Sequence, residues 1–575
     1  MAQSGWSPYG GKSYLTFEAI EAWCRQAAAA MPEWISLEVV GQTAAGRPLL
    51  LLTVGAAGPE RNNRPAFWLD GGTHAIEWTG VMTPIYTLSR WLSGLAAGDK
   101  ALTAWFSTHT AHVMPCISPD GFAASMAGGP FVRSTLRPPP SGTVRTGLDP
   151  VDVDGDGVIR WMRWRHPAGP FVCDEEAPGF MRPRLLDDDP DAAWFVCDEG
   201  LFLEWDGHRW TTAPRGFGLD LNRNFPSHWA PFSMFAMDGG AYPLSAPESR
   251  AVVDAFAARP LIGAGLTLHT YTGALLMPPY RLDTALSTGD IELMQQLGRD
   301  VVRDTGYRAL PIVPDFTYDP KQSIVGVWAD TMGATFGVPG FTLEQWNPLA
   351  ECGLELDRPV DFLVRPDPAH VRKVLVHFGA RPGVFTPWRA FEHPQIGAVE
   401  VGGFDYLRTI RNPPDELLPT ECQRGFQVIE RLRRALPRAR VEVQMTPLGD
   451  DWTQVEAIIE NLGYLPTSGL RAGERLVGTP PVSLTLEVDA GLQRAEPAGR
   501  ALDHLDGWGG GERSAVQHAA YPTLSSRSHR TFATWRVRGT GHARLIWHAG
   551  RAGRGQVDLT IDRAAAVVGG LSGRG

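Results

Sequence analysis

Residues 68–80 read WLDGGTHAIEWTG, an apolar segment that runs into two glycines and then into His74-x-x-Glu77. An imidazole and a carboxylate three residues apart, on the turn after a strand, can hold one metal ion from a single loop. A catalytic zinc ion takes three protein ligands and keeps a fourth position for water, so the pair demands one distant ligand, and a base near it. Two later segments answer that demand. GLTLHTYTG ends a short apolar run at His269, and GVPGFTLEQWN ends another at Glu344. The near pair would fix the ion on one loop and His269 would lock it across a sheet. HxxE alone is common by chance, and its bland reading is a buried, hydrogen-bonded histidine. The glycines before it and a second histidine at another strand exit favour the metal. His109 and His112 are weaker candidates, since side chains three apart on a strand point to opposite faces.

Three polar side chains at three strand exits require a sheet whose strand ends converge. A helix is expected over 14–31, with Leu15, Ile20, Trp23 and Cys24 able to share a face and Pro32 as its stop. ISLEVVGQTAAGRPLLLLTVG reads as two strands around a turn, and Phe67–Leu69 opens another. VMTPIYTLSRWLSGLAAG reads as a helix, with Pro84 tolerable only near the first turn. HTAHVMPCISPDGF is again strand, then loop. This alternation predicts an α/β domain with a mixed central sheet flanked by helices, whose functional residues gather at strand ends. Residues 138–215, rich in Pro, Gly, Asp and Trp, are expected to be a surface insert with no core of their own. Beyond about residue 385 the texture changes to strands separated by glycine-rich turns, with one helix near 421–436, which predicts a β-sandwich-like C-terminal region. The expected organisation is a catalytic domain over 1–385, a β-rich accessory domain over 386–500, and a small β-rich module over 501–575, separate from or part of the one before. The piece 507–511 is the expected linker.

The 575 residues exceed one hydrophobic core and imply several domains. A formal charge of -10 and the lack of a basic face argue against nucleic acid. No run of about 18 apolar residues predicts a membrane span. The N-terminus lacks a basic start followed by an apolar run, so a cytoplasmic location is the default expectation, with export by another route left open. Six cysteines without C-x-x-C spacing argue against a zinc–thiolate knot and are compatible with a reducing compartment.

The pieces GGTHAIEW, SPDGF, FVRSTLR, GLDLNRNF, LTLHTYTG and GVPGFTLEQW, in this order over roughly 14–380, carry a resemblance. The chain resembles the zinc carboxypeptidases of the M14 type, of the larger bacterial kind with C-terminal β modules. The resemblance implies a hydrolase of peptides with one catalytic Zn2+, and its ligand set of two histidines and a glutamate is the family's own. It gives His74, Glu77 and His269 as the metal ligands and Glu344 as general base and then acid. It gives Asn222 and Arg223 as the pair that holds the substrate's terminal carboxylate. Arg133, eleven residues after Phe122 of SPDGF, is implied as the carbonyl-polarising arginine in preference to Arg137, Arg145 and Arg163. Tyr318 is the best candidate for the mobile tyrosine, although its spacing to Glu344 is longer than usual. Asp330-Thr331 stands where the family often has Asp-Trp.

The expected partner is a peptide or small amide with a free carboxylate. Two other readings stay open: a same-fold amidohydrolase acting on cell-wall peptide, γ-glutamyl or N-acyl amino acid substrates, and a non-catalytic binding protein. Asp152, Asp154 and Asp156 in DVDGDG match the first half of a calcium loop, but its twelfth position is Arg163 instead of Glu. A structural Ca2+ there competes with a solvated acidic turn.

Overall fold

The structure, a computed structural model, describes residues 6–562 apart from 140, 178, 232, 235–236, 320–322, 477 and 511–526. At its centre lies a mixed sheet in the order Ile35–Gln42, Pro48–Val54, Thr110–Met114, Ala66–Gly71, Ile262–Thr270, Gly340–Gln345, Ala274–Met277, Arg308–Pro311. Ala66–Gly71, Ile262–Thr270 and Gly340–Gln345 run parallel to one another. Ala66–Gly71 and Ile262–Thr270 are buried along their whole length. Parallel strands reach that state only when helices cover both faces.

Alternation along Ala66–Gly71 divides the core. Phe67 and Leu69 face one cluster, shared with Ile20 and Trp23 of the helix Phe17–Ala30, with Ile85 and Trp91 of Trp78–Ala96, and with Met294 and Leu297 of Thr288–Val301. Ala66 and Trp68 face the other, shared with Val252 and Phe256 of the helix Pro247–Ala257 and with Trp328 and Met332 of Trp328–Phe336. The helix Leu418–Leu432 puts Leu418, Cys422, Val428 and Ile429 into the first cluster. The core of this region therefore draws on residues from both sides of position 385.

The helix Trp78–Ala96 begins earlier than its apolar pattern suggests, so Pro84 lies past its first turn. The carbonyl that Pro84 leaves without a helical donor is that of Gly80. It lies against Gly71, where a Cβ would stand 1.9 Å from the oxygen. The proline and the glycine thus let helix and strand meet at their ends.

The insert corrects one expectation. It is not a coreless covering: its strands Trp161–Arg165 and Ala193–Asp198 continue a sheet with Phe385–His393 and Gly397–Phe404. Val399 and Val401 pack there against Leu148, Met162 and Phe202. Val399 and Val401, two of the six buried residues of this small core, come from more than 180 positions downstream, so a local reading could not find it. The C-terminal strands form two four-stranded sheets around Val455, Ile459, Leu484, Trp535 and Leu545. Strands on both sides of residue 501 share that core. Of the module expected over 501–575, residues 511–526 and 563–575 lie outside the described residues, as does Gly511 of the expected linker. Arg551 ties the sandwich to the first region: its guanidinium donates to the carbonyls of Pro260, at 2.9 Å, and Ile262, at 2.8 Å. Among the described residues all six cysteines are free, and no helix is long and apolar enough to cross a membrane.

Candidate metal centre and substrate cavity

The strand Ala66–Gly71 gives way to the loop at Gly72, whose φ of +68° suits glycine and strains a residue with a Cβ. The loop then delivers His74 and Glu77 to the end of the neighbouring strand, where His269 stands. His74 Nδ1 lies 2.9 Å from Glu77 Oε1, His269 Nδ1 lies 2.9 Å from Glu77 Oε2, and the two imidazole nitrogens are 3.0 Å apart. All three side chains are buried. Two imidazoles and a carboxylate that turn one donor atom each toward a common point, all within 4.8 Å of one another, form a donor set that suits a single zinc ion. Burial disfavours an ionised Glu77, but the two histidines outweigh it and hold its carboxyl well below the ordinary range.

A second layer fixes this set. Asp220 Oδ1 lies 3.2 Å from His74 Nε2, so the outward nitrogen of that ring meets a carboxylate. The backbone N–H of Thr270 donates to Glu77 Oε2 at 3.1 Å. Arg133 donates from Nε to Asp220 Oδ2 and from Nη1 to Glu77 Oε1, both at 3.3 Å. Burial opposes the ionisation of Asp220 as well, and Arg133, Arg223 and His74 reverse it. Asp70, pushed up to about 6 by burial, accepts from the indoles of Trp68 and Trp328 beneath the site.

Glu344 sits on the strand Gly340–Gln345, directly beside His269 in the parallel pairing. Among the described residues no protein donor bonds to its carboxylate. Burial and the charge of Glu77 push it up to about 7, against the pull of His269, Arg411 and Arg133. The register thus sets a carboxyl of neutral-range acidity next to the ligand set without making it a ligand.

A cavity of about 670 Å³ opens onto this centre, and its walls include Arg133, Asp220, Arg223, Tyr318 and Arg411. Arg223 Nη1 donates to the carbonyl of Asn222 at 2.7 Å. Asn222 Oδ1 accepts from the N–H of Trp328 at 3.0 Å, which fixes the amide and leaves its NH2 as the remaining donor group. Burial raises the Tyr318 phenol above its ordinary value. Of the four candidate arginines, Arg133 is the one within reach of Glu77 and Asp220. Arg137 pairs with Asp238, Arg145 with Asp149, and Arg163 with Glu400.

Two groups escape a sequence reading. Asp220 stands two residues before Asn222 in GLDLNRNF, so its signal was present. Arg411, in RTIRNPP, carries no signal at all. It comes from beyond residue 385 and places Nη1 3.4 Å from Glu77 Oε1 and 3.0 Å from the Thr270 carbonyl.

The calcium expectation finds no support. Asp152, Asp154 and Asp156 do gather within 4.8 Å. However, Asp152 accepts from the amides of Gly155 and Gly157, Asp154 from that of Asp156, and Asp156 from that of Val158. Arg389 bridges Asp154 and Asp156 at 2.9 and 3.1 Å, and Arg160 adds a contact to Asp156 at 2.9 Å. Chain amides and two arginines thus give these carboxylates partners without an ion, and calcium is not supported.

A zinc carboxypeptidase family model matches residues 20–156 and 202–334, and a model of a domain of unknown function matches 439–560. The chain is similar to carboxypeptidase B of Astacus astacus, with 34% identity over 138 residues, 24% of this chain and 43% of that protein. Human carboxypeptidase B matches with 33% identity over 184 residues, 31% of this chain and 41% of that protein. The chain therefore spans less than half the length of the curated relatives it matches. Among solved structures, bovine thrombin-activatable fibrinolysis inhibitor, in complex with tick carboxypeptidase inhibitor, aligns at 15% identity and a TM-score of 0.42, over 74% of this chain and 97% of that one.

Proposed function

We propose that the chain is a zinc carboxypeptidase, as the family match over residues 20–156 and 202–334 supports, and that it removes C-terminal residues from peptides by zinc-dependent hydrolysis. The observation that carries this reading is the convergence of His74, Glu77 and His269 beside Glu344, a carboxyl that is not one of the ligands. A zinc ion held by those three residues would supply Lewis acidity toward water and the scissile carbonyl.

The remaining work falls to the chain's own groups. Glu344 takes the proton of the attacking water and delivers it to the leaving amine, a task that suits an acidity near neutral pH. Arg133 stabilises the charge that develops on the carbonyl oxygen. Arg223 grips the terminal carboxylate through charge-assisted hydrogen bonds, and the Asn222 NH2 adds a donor. Tyr318 closes the wall beside the leaving residue. A chain continuing past that residue brings no carboxylate to Arg223, and this gives the exopeptidase preference.

One feature favours a second reading, a small-amide hydrolase of the same fold. The insert and the segment beyond 385 wall the cavity with Ile159, Trp161, Phe404, Tyr406 and Arg408, which suits short substrates. Such substrates include cell-wall peptides, γ-glutamyl compounds and N-acyl amino acids, all with a free carboxylate for Arg223.

Mass spectrometry of a peptide pool with free or amidated C-termini, incubated with zinc-loaded protein, tests both. Stepwise loss from free ends alone supports the carboxypeptidase. Inertness of all peptides, with cleavage of N-acyl amino acids, supports the second reading. Cleavage of amidated peptides at the same rate would refute the role of Arg223.

A further inference from the structure

We propose that Arg411 and Asn412 are positioning residues of the metal centre, supplied by a segment outside the family match. The inference rests on the zinc reading of His74, Glu77 and His269.

The helical turn Leu407–Arg411 follows the hairpin that roofs the cavity, and Asp405 holds its start by accepting from the amides of Leu407 and Arg408. Its last residue and the next reach both metal-bearing segments. Asn412 Nδ2 donates to the carbonyl of Ile76 at 2.8 Å, and Asn412 Oδ1 accepts from the N–H of Thr79 at 3.1 Å. One buried amide thus pins the chain on either side of Glu77, including an N–H in the first turn of the helix Trp78–Ala96, which has no carbonyl partner within the helix. Arg411 Nη1 donates to the carbonyl of Thr270, the residue after His269, and lies against Glu77 Oε1. Its Nη2 donates to the Tyr406 hydroxyl at 3.1 Å, and its guanidinium lies 4.8 Å from the centre of the Tyr271 ring. Held by the phenol and stacked on the ring, the guanidinium cannot swing away without losing both.

The two metal-bearing segments come from chain positions 192 residues apart. The adjacent strands align their backbones, but the rotation of Glu77 and the course of the turn at Ile76 remain to be fixed. Arg411 and Asn412 fix them. The residues after 385 therefore complete the metal centre, beyond covering it.

The test is zinc affinity, measured on the full chain by competition with a fluorescent chelator, with circular dichroism to establish folding. Folded R411Q and N412A should bind zinc about 10–100-fold more weakly than wild type, as loss of groups that orient ligands does. R411K, which keeps the charge and loses the fork, should fall between. A purely structural role would lower the melting temperature and leave zinc affinity unchanged. Folded variants that hold zinc within about twofold of wild type would overturn the proposal. If R411Q does not fold, R411K and N412A carry the same test. A wild-type chain that binds no zinc would defeat the metal reading itself, and this proposal with it.

Discussion

Replacing Glu344 by glutamine separates chemistry from architecture at this site. The substitution keeps the shape of the side chain and removes its ability to accept a proton. No protein donor among the described residues relies on the carboxylate, and Glu344 is not one of the three convergent ligands, so fold and zinc content should survive. The loss should fall on turnover. A positioned general base contributes about 10²–10⁴ in rate, which corresponds to roughly 3–5 kcal/mol of barrier. Zinc-loaded E344Q should therefore show kcat on a short free-ended peptide reduced by about that factor, with little change in KM. The acid limb of the wild-type kcat/KM profile should vanish in the variant. That limb should lie below 7, because a cation on Glu77 offsets the charge that helps raise Glu344. The metal-free protein gives an independent reading. The folded carboxyl titrates at about 7, above its ordinary value, so its ionisation opposes the fold. Wild-type stability should decline as pH rises from the ordinary carboxylate range through 7, and E344Q should lack that part of the decline. At pH 8 the metal-free variant should therefore melt above wild type, with the gap closing toward pH 5. Turnover of zinc-loaded E344Q within about tenfold of wild type would refute the assignment of Glu344 as the base.

Other perturbations probe the rest of the centre. R223A should raise KM and erase the preference for free over amidated C-termini; its charge-assisted bonds are worth about 1.5–3 kcal/mol each, so kcat/KM should fall at least tenfold in peptide assays. R133A should lower kcat by about 10²–10³ in zinc-loaded protein, read under saturating substrate. Chelation should abolish hydrolysis and lower the melting temperature, and added zinc should restore both, since an ion that binds only the folded state stabilises it. R551A should destabilise the whole chain by about 3 kcal/mol or more in denaturant titrations, because it strips hydrogen bonds from the buried carbonyls of Pro260 and Ile262.

The sequence by itself determined the ligand types and the strand exits that carry them. His269 and Glu344 were legible because each ends an apolar run, and His74 and Glu77 because they follow one through two glycines; a run that stops in this way marks where a buried strand meets a site. The central sheet was legible for the same reason: strand and helix patterns alternate, and local periodicity reports local structure. The role of DVDGDG was not legible. Its aspartates match calcium ligands, but Arg389, far along the chain, already neutralises two of them. The insert looked coreless because Val399 and Val401 complete its packing from beyond residue 385. Arg411 was invisible for a related reason. A guanidinium becomes part of a metal centre through its position in space, and nothing in the letters RTIRNPP records that Glu77 and the Thr270 carbonyl lie beside it. Composition and period fix what each segment wants locally. Which distant segments meet, and so which charges a carboxylate finds next to it, is decided only when the whole chain packs.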